Sequence, residues 1–249
     1  GTKNIVEMLH RQGRMHPSIC EFVNRNYYNG GLDAVPLPHQ QEPLAFGTRP
    51  DDDRWTAFVG GTRMAFISVQ ADKAEYYTKI ESKQEQTELA QGLPNVGDSS
   101  KSNKREAETV ARLVHTLSQL HSRSGIPFSP CKQIGIIVPF RAQIAMIRKA
   151  LAERHIPDTA DITIDTVERY QGSQRDIIIF STTVSRPYQL SILSEPIMTD
   201  GREIDRKLNV ALTRARKQFF MTGNETLLRN CTAYREFLDF LSKEQILRL

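Results

Sequence analysis

The sequence predicts one α/β domain in which helices cover both faces of a mostly parallel sheet. The runs IGIIV (134–138) and DIIIF (176–180) are almost continuously apolar, which is typical of strands buried on both faces. Segments with helical periodicity alternate with such strands, and this alternation favours parallel strands joined by helical crossovers. A mixed sheet with antiparallel strands is the alternative that the pattern leaves open. At 249 residues the chain has room for one large domain or two small ones.

The N-terminal part is predicted to hold one helix and one strand within irregular chain. Met15–Asn29 has apolar residues along one helical face, Pro17 suits its first turn, and two glycines follow its end. Residues 32–61 are rich in Pro, Gly and Asp, which predicts a loop. MAFISV (64–69) is a strand candidate. The highly polar segment 71–100 is predicted to be an exposed insertion within the domain.

The second half of the chain alternates regularly between helices and strands. The segment 103–120 has a strong apolar face, and we expect Asn103 to cap its N-terminus with Glu106 reaching back in a capping box. Further strands are predicted at Gln133–Val138, Ile162–Val167, Asp176–Val184 and Gln218–Gly223, further helices at Phe140–Arg154 and Leu208–Arg216, and C-terminal helices over residues 225–249.

Composition and charge narrow the class of protein. The net charge is +4 with a sequence pI ≈ 9.0, a mild basic bias that suits a polyanionic partner but is also ordinary for a soluble protein. The three cysteines form neither a CxxC pair nor a Cys/His cluster, so we expect reduced thiols in the cytoplasm and no metal site. No apolar run approaches the roughly 20 residues of a membrane span, so no membrane partner is expected. Because the chain starts without Met, we expect a trimmed chain or a piece of a longer protein. Separately, we expect the protein to be monomeric.

Three loops carry residues suited to binding anions. In IDTVERYQGSQ, Thr166 ends a predicted strand and Gly172 would allow a phosphate to approach the backbone, although a plain turn explains the same glycine. In IVPFRAQ, Phe140 could stack on a base beside Arg141, or could simply pack at the start of the helix. In QGRMHP, Arg14 precedes a helix, where a solvated surface charge is the alternative.

The segment LNVALTRARKQ (208–218) reads as a helix with cations near its end. Leu208, Leu212 and Ala215 share one apolar stripe at helical spacing. On that helix Arg214 and Arg216 flank the stripe on opposite sides, so we expect only one of them to bind a given ligand.

Taken in order, these motifs resemble those of the second RecA-like domain of superfamily 1 helicases. HRQGRMHPSICEF, SNKREAE, IGIIVPFRAQ, DTVERYQGSQRDIII and LNVALTRAR carry the resemblance. It is strongest to the 1B branch, the up-frameshift, Dna-two and senataxin-like group. It covers residues 10–224, interrupted at 32–100. The resemblance implies a three-layer RecA-like fold of the P-loop NTPase type.

The resemblance also implies a nucleotide site. In the family two RecA-like domains bind one ATP with Mg²⁺ between them, and the second domain contributes arginines. Arg214 then matches the arginine finger, and Arg14 a second arginine to the γ-phosphate. Gly172 matches a loop that faces the nucleotide, with Gln12 and Gln174 beside it. Relatives usually carry an aromatic residue where Gly13 stands and Glu in place of Gln174. We therefore expect base selectivity and ATP affinity to differ here, whereas the amide of Gln174 can still accept a hydrogen bond from the ribose.

For nucleic acid, the resemblance implies a single strand of DNA or RNA held mainly through its backbone. The matching positions are Pro139, Phe140, Arg141, Thr166 and Val167.

The sequence contains no G-x-x-x-x-G-K-[ST] phosphate loop. We therefore expect half of an ATPase site, completed by a first RecA-like domain, and an isolated chain without ATPase activity. Two alternatives stay open: a non-catalytic nucleic-acid-binding or regulatory module that keeps the fold, and a structural domain that makes only protein contacts.

Overall fold

The computed structural model of the chain describes residues 10–44, 46, 49–69, 101–170, 172–199 and 201–249. The strands are β1 (Arg11–Gln12), β2 (Asp33–Ala34), β3 (Met64–Ser68), β4 (Ile134–Val138), β5 (Thr163–Thr166), β6 (Arg175–Ser181), β7 (Pro196–Thr199), β8 (Arg202–Asp205), β9 (Ala215–Gly223) and β10 (Ile246–Arg248). The helices are α1 (Pro17–Tyr27), α2 (Pro38–Gln41), α3 (Arg54–Gly61), α4 (Lys104–Arg123), α5 (Pro130–Gln133), α6 (Arg141–Glu153), α7 (Leu190–Leu193), α8 (Arg206–Leu212), α9 (Glu225–Leu228) and α10 (Thr232–Phe240). Short 3₁₀ turns occupy Pro187–Gln189 and Lys243–Gln245.

Within the described residues, six strands form the central sheet in the order β10-β3-β9-β6-β4-β5, and every pair is parallel. β3 and β4 are buried at every residue. In the middle of the sheet Ile136 lies between Ile164 of β5 and Ile179 of β6. The predicted parallel sheet is therefore confirmed, and the antiparallel alternative is wrong for the central sheet.

Alternate residues of each strand face two separate apolar clusters, one on each side of the sheet. Phe219 and Met221 of β9 pack into the first cluster, with α1, α8 and α10. Phe220, between them, packs into the second cluster, with α3, α4 and α6. These faces produce a helix–sheet–helix sandwich, the three-layer α/β architecture that the RecA-like resemblance implied.

The predicted helix over 103–120 is confirmed and extends to Arg123. Asn103 caps it, since its side-chain oxygen accepts from the backbone N of Glu106 at 3.0 Å. The predicted capping box is wrong. The backbone N of Asn103 donates to Gln143 Oε1 at 2.7 Å, and the carboxylate of Glu106 is fully buried and bonded elsewhere.

The predicted helix over 208–216 ends early, at Leu212. Ala215 already belongs to β9, which pairs with both β3 and β6. Extended pairing on two sides, with Phe219, Phe220 and Met221 fully buried, outweighs the helical periodicity of this segment. Arg214 consequently lies in the turn between helix and strand, and the helical argument that separated it from Arg216 does not apply.

The structure also differs from the sequence prediction at the edge of the sheet formed by β10 and in the connections between elements. The loop predicted over 32–61 contains α3, whose N-cap Asp53 accepts from the backbone N of Trp55 at 2.8 Å and of Thr56 at 3.0 Å. The C-terminal segment ends in β10, an edge strand beside β3, rather than in helices alone. The antiparallel hairpin β7–β8 was not predicted. The predicted insertion at 71–100 lies outside the described residues.

Candidate nucleotide and nucleic-acid sites

Arg14 lies in a tight turn between β1 and α1 that the side chain of Gln12 holds closed. Gln12 Oε1 accepts from the backbone N of Arg14 at 2.9 Å and of Met15 at 2.7 Å. Gln12 Nε2 donates to the carbonyl of Met15 at 2.9 Å. The amide of Gln12 is thus engaged within the turn, and its direct effect is to fix the direction in which Arg14 leaves the backbone.

The guanidinium of Arg14 reaches two neutral oxygens from distant parts of the sequence. Its Nε donates to Gln174 Oε1 at 3.0 Å, and its Nη1 donates to the carbonyl of Thr213 at 2.9 Å. Neither acceptor carries a formal charge, so these bonds orient the cation without neutralising it.

Arg214 is half-buried next to Arg14. It donates from Nε to the carbonyl of Val210 at 3.2 Å, and makes longer contacts of 3.5 Å to Ser173 O and Thr213 Oγ1. Burial, followed by the charge of Arg14, lowers the pKa of Arg214. The pKa of an arginine is so high that the side chain stays charged at neutral pH. The two cations, from different turns, therefore lie side by side at Thr213 and repel each other.

The neighbouring cations of the same motif are paired with carboxylates. Arg216 Nη1 lies 3.2 Å from Asp176 Oδ1, and Lys217 Nζ lies 2.8 Å from Glu42 Oε2. In the part of the chain that the structure describes, no ion pair joins Arg14 or Arg214 to a carboxylate. The structure therefore distinguishes Arg214, with unneutralised charge, from Arg216.

The short helix α2 stabilises the Arg14 turn through hydrogen bonds to its backbone carbonyls. His39 Nε2 lies 3.0 Å from the carbonyl of Arg14. The buried Gln40 donates from Nε2 to the carbonyl of Met15 at 2.8 Å. Sequence reasoning missed both residues, because they lie in the Pro-rich segment read as loop and belong to no motif.

His16, two residues after Arg14, adds to the polar environment of the turn. Burial first, and then the charges of Arg63 and His39, lower the pKa of His16 to about 4. The ring is therefore neutral at physiological pH, and its Nδ1 accepts from the backbone N of Ser18 at 3.2 Å at the start of α1.

Gly172 lies in the connection from β5 to β6, beside the arginines. Its φ of +86° is in the left-handed region that favours glycine, and within the described residues no atom beyond its chain neighbours lies within 4 Å of the position that a Cβ would take. The backbone here is exposed and open to a ligand. The next residue, Ser173, provides the carbonyl that Arg214 contacts.

The residues predicted to bind nucleic acid lie at the carboxyl ends of β4 and β5. Arg141 is exposed, and Pro139 and Thr166 are half-buried. Phe140 is only 6% exposed and Val167 only 3%, so neither side chain presents a free surface to a base. The packing alternative fits Phe140, and the backbone is the part that these two residues offer.

The two groups of predicted residues lie at opposite ends of the sheet. Arg175 and Ala215, which start β6 and β9, pair with each other next to Gln174 and Arg214. Arg141 and Thr166 follow the carboxyl ends of β4 and β5. The connection 167–174 joins the two ends, and Tyr170, only 1% exposed, anchors it in the core.

Comparison with known proteins identifies the family to which this chain belongs. A family model described as an AAA domain matches residues 1–226. The chain belongs to the AAA domain family. Among curated proteins, this AAA domain is 28% identical over 234 residues to the DNA polymerase alpha-associated DNA helicase A of Saccharomyces cerevisiae, covering 92% of the chain and 29% of the relative.

Two further relatives extend the comparison. The AAA domain is 26% identical over 261 residues to the DNA replication ATP-dependent helicase/nuclease DNA2 of Bos taurus, covering 98% of the chain and 21% of the relative. It is also 26% identical over 246 residues to the 3'-5' exoribonuclease HELZ2 of Mus musculus, covering 96% of the chain and 7% of the relative. The chain thus spans less than a third of each relative. It is a helicase-type domain of superfamily 1, in the up-frameshift, Dna-two and senataxin-like group.

No helix within the described residues is long and apolar enough to cross a membrane.

Proposed function

We propose that this chain is the second RecA-like motor domain of an ATP-dependent nucleic-acid helicase or translocase. The observation that carries the proposal is the convergence of Arg14 and Arg214 on the turn at Thr213, with no carboxylate pairing either of them in the described residues. Two adjacent cations held by neutral oxygens are suited to an anion, because an anion would relieve their mutual repulsion.

The chemistry around these arginines fits a nucleotide phosphate. ATP bound with Mg²⁺ would supply the phosphoryl group that is transferred to water. Arg214 and Arg14 would bind oxygens of the γ-phosphate and stabilise the negative charge that develops there. Gly172 would let a phosphate or ribose approach the backbone, and Gln174 would orient Arg14. Gln12 would act through the position of Arg14.

The carboxyl ends of β4 and β5 would form part of a groove for single-stranded DNA or RNA. Arg141 is exposed there, and the backbones of Pro139, Phe140, Thr166 and Val167 follow the same strand ends. Contacts of this kind address phosphates rather than base edges, so we expect little sequence preference.

The sequence carries no phosphate loop, so the proposed site needs a first RecA-like domain that brings that loop and the ligands of Mg²⁺. We expect the 249-residue chain by itself to release no phosphate from ATP.

The test is single-strand-stimulated phosphate release by the chain joined to such a first domain. Arg214→Ala and Arg14→Ala should each lower kcat at least about 100-fold. Arg235→Ala, a substitution at an exposed arginine of α10, is the matched control and should leave the rate unchanged. Unchanged turnover in Arg214→Ala would refute its assignment. Tight single-strand binding without any ATP turnover by the parent protein would favour the non-catalytic binding module.

A further inference from the structure

A fully buried carboxylate lies below the proposed nucleic-acid groove. Glu106, in the first turn of α4, has no exposed surface. Its Oε2 accepts from Ser181 Oγ at 2.8 Å, from the backbone N of Thr183 at 3.0 Å and from Thr222 Oγ1 at 3.1 Å. Its Oε1 accepts from Asn103 Nδ2 at 3.3 Å. The side chain of Glu106 thus connects the carboxyl ends of β6 and β9 to the N-terminus of α4 through hydrogen bonds.

Within the described residues, the partners of Glu106 all donate to its carboxylate, and none of them is a charged or titratable group. They include two hydroxyls, an amide N–H₂ and backbone N–H groups, contributed by β6, the loop after it, β9 and the α4 N-cap. The ionised carboxylate can accept from every one of them, whereas a protonated acid would need the Ser181 or Thr222 hydroxyl to turn and accept its proton. Burial acts in the other direction and raises the pKa of Glu106 to about 7.

The network continues to the segment that carries Arg141. Gln143, fully buried in the first turn of α6, donates from Nε2 to the carbonyl of Asn103 at 3.0 Å and lies 3.4 Å from Ser181 Oγ. Its Oε1 accepts from the backbone N of Asn103 at 2.7 Å. The first turn of α6, which begins at Arg141, is thus fixed to the same cluster as Glu106 through Gln143.

The loop after β6 also depends on this carboxylate. Thr183 has a φ of 62°, a left-handed conformation that is costly for a β-branched residue. Its backbone N donates to Glu106 Oε2. A buried acceptor at this position compensates for the strain and determines how the chain leaves β6.

We propose that Glu106 is a positioning residue for single-strand binding: through Asn103, Ser181 and Gln143 it sets the start of α6, where Arg141 is exposed, in the geometry that meets the nucleic-acid backbone. The proposal rests on the proposed function. Capping the helix does not require this residue, because Asn103 already does so. An apolar side chain would fill the core without the desolvation cost of a carboxylate.

The test measures binding of a fluorescein-labelled single-stranded oligonucleotide by anisotropy, with the 249-residue chain and at fixed ionic strength. Glu106→Gln, which keeps the shape and removes the charge, should weaken binding about tenfold. Glu108→Gln is the matched control, because Glu108 is exposed on the same helix, and it should bind like the parent chain. Thr222→Val removes one donor isosterically and should weaken binding by a smaller factor, so the proposal stays testable if Glu106→Gln does not fold.

Two readouts separate positioning from a merely structural role. The pH dependence of binding by Glu106→Gln serves as the reference, because it contains the contribution of the histidines. Relative to that reference, binding by the parent chain should strengthen as the pH rises through about 7. Hydrogen exchange of the amides of Gln143 and Thr183 should become faster in Glu106→Gln and stay unchanged in Glu108→Gln.

Different binding results would contradict different parts of the two proposals. Parent-like affinity and pH dependence in Glu106→Gln would overturn the proposal for Glu106 alone. Parent-like binding in Arg141→Ala, with loss in Glu106→Gln, would contradict the proposed groove at Arg141 and with it this role for Glu106. No binding by the parent chain would overturn the role of Glu106 in single-strand binding by this chain, whereas the assignment of Arg14 and Arg214 would still be decided by the phosphate-release test.

Discussion

Gly135 offers a sharp test of how the connection 167–174 is anchored. It lies in the middle of β4, where every residue is buried. A Cβ at this position would lie 1.8 Å from Tyr170 Oη, 2.7 Å from Tyr170 Cζ and 3.0 Å from Arg175 Cγ. We therefore expect Gly135→Ala to force Tyr170 out of its place and to lower the free energy of unfolding by about 3 kcal/mol.

A second substitution separates steric overlap from the general cost of alanine in a strand. Within the described residues the Tyr170 hydroxyl is buried without a hydrogen-bond partner, so Tyr170→Phe alone should change stability by less than about 0.5 kcal/mol. It removes the atom at 1.8 Å and leaves the ring carbon at 2.7 Å, which a small shift relieves. In the double variant we expect about 1–2 kcal/mol of the loss to be recovered.

Urea unfolding of the four proteins in this cycle measures that coupling directly, provided that the m-values agree. A Gly135→Ala variant as stable as the parent would refute the packing argument. So would an equal loss with and without the Tyr170 hydroxyl, because the overlap with that atom would then have no energetic consequence.

Two further predictions concern stability. The pKa of Glu106 is raised to about 7 from 4.5, so the native state binds this proton more tightly than the unfolded chain does, and the stabilisation present below pH 4.5 is lost as the pH rises through about 7. Relative to Glu106→Gln, the parent chain should lose about 3 kcal/mol of unfolding free energy between pH 4.5 and 8, and urea unfolding that gives a pH-independent difference would contradict the burial argument. Asn103→Ala removes the N-cap of α4 and should cost about 1 kcal/mol or more in the same measurement, and an unchanged midpoint would show that the cap bond contributes nothing.

The sequence was most informative about the parts of the fold that repeat. Continuous apolar runs predicted β4 and β6, and the helical period predicted α4 and α6, because burial in a layered core imposes these patterns directly. The sequence prediction was wrong where strand pairing in the sheet outweighed a local helical pattern. The periodicity of 208–216 is helical, but Ala215 follows β9 into the sheet, where it pairs with Arg175.

The sequence likewise predicted some residues of the candidate sites and missed others. Motif order pointed to Arg14 and Arg214, which the structure brings together, and to Gly172, whose next two residues contact them. It could not identify Gln40, which lies in a segment without periodicity and contacts the Arg14 turn only through the fold. Glu106 was read locally as a capping residue, because its partners Ser181 and Thr222 lie 75 and 116 residues away.

Stability and binding should respond to pH in opposite directions at Glu106, and this opposition distinguishes a positioning carboxylate from a core polar residue. Ionisation costs folding free energy because the group is fully buried. The same ionisation lets Glu106 Oε2 accept from Ser181, Thr183 and Thr222 together, with neither hydroxyl turned to accept a proton. A residue kept only for stability would follow the first trend alone. A chain that becomes less stable above pH 7 while it holds a single strand more tightly would therefore show that the carboxylate serves the groove above it.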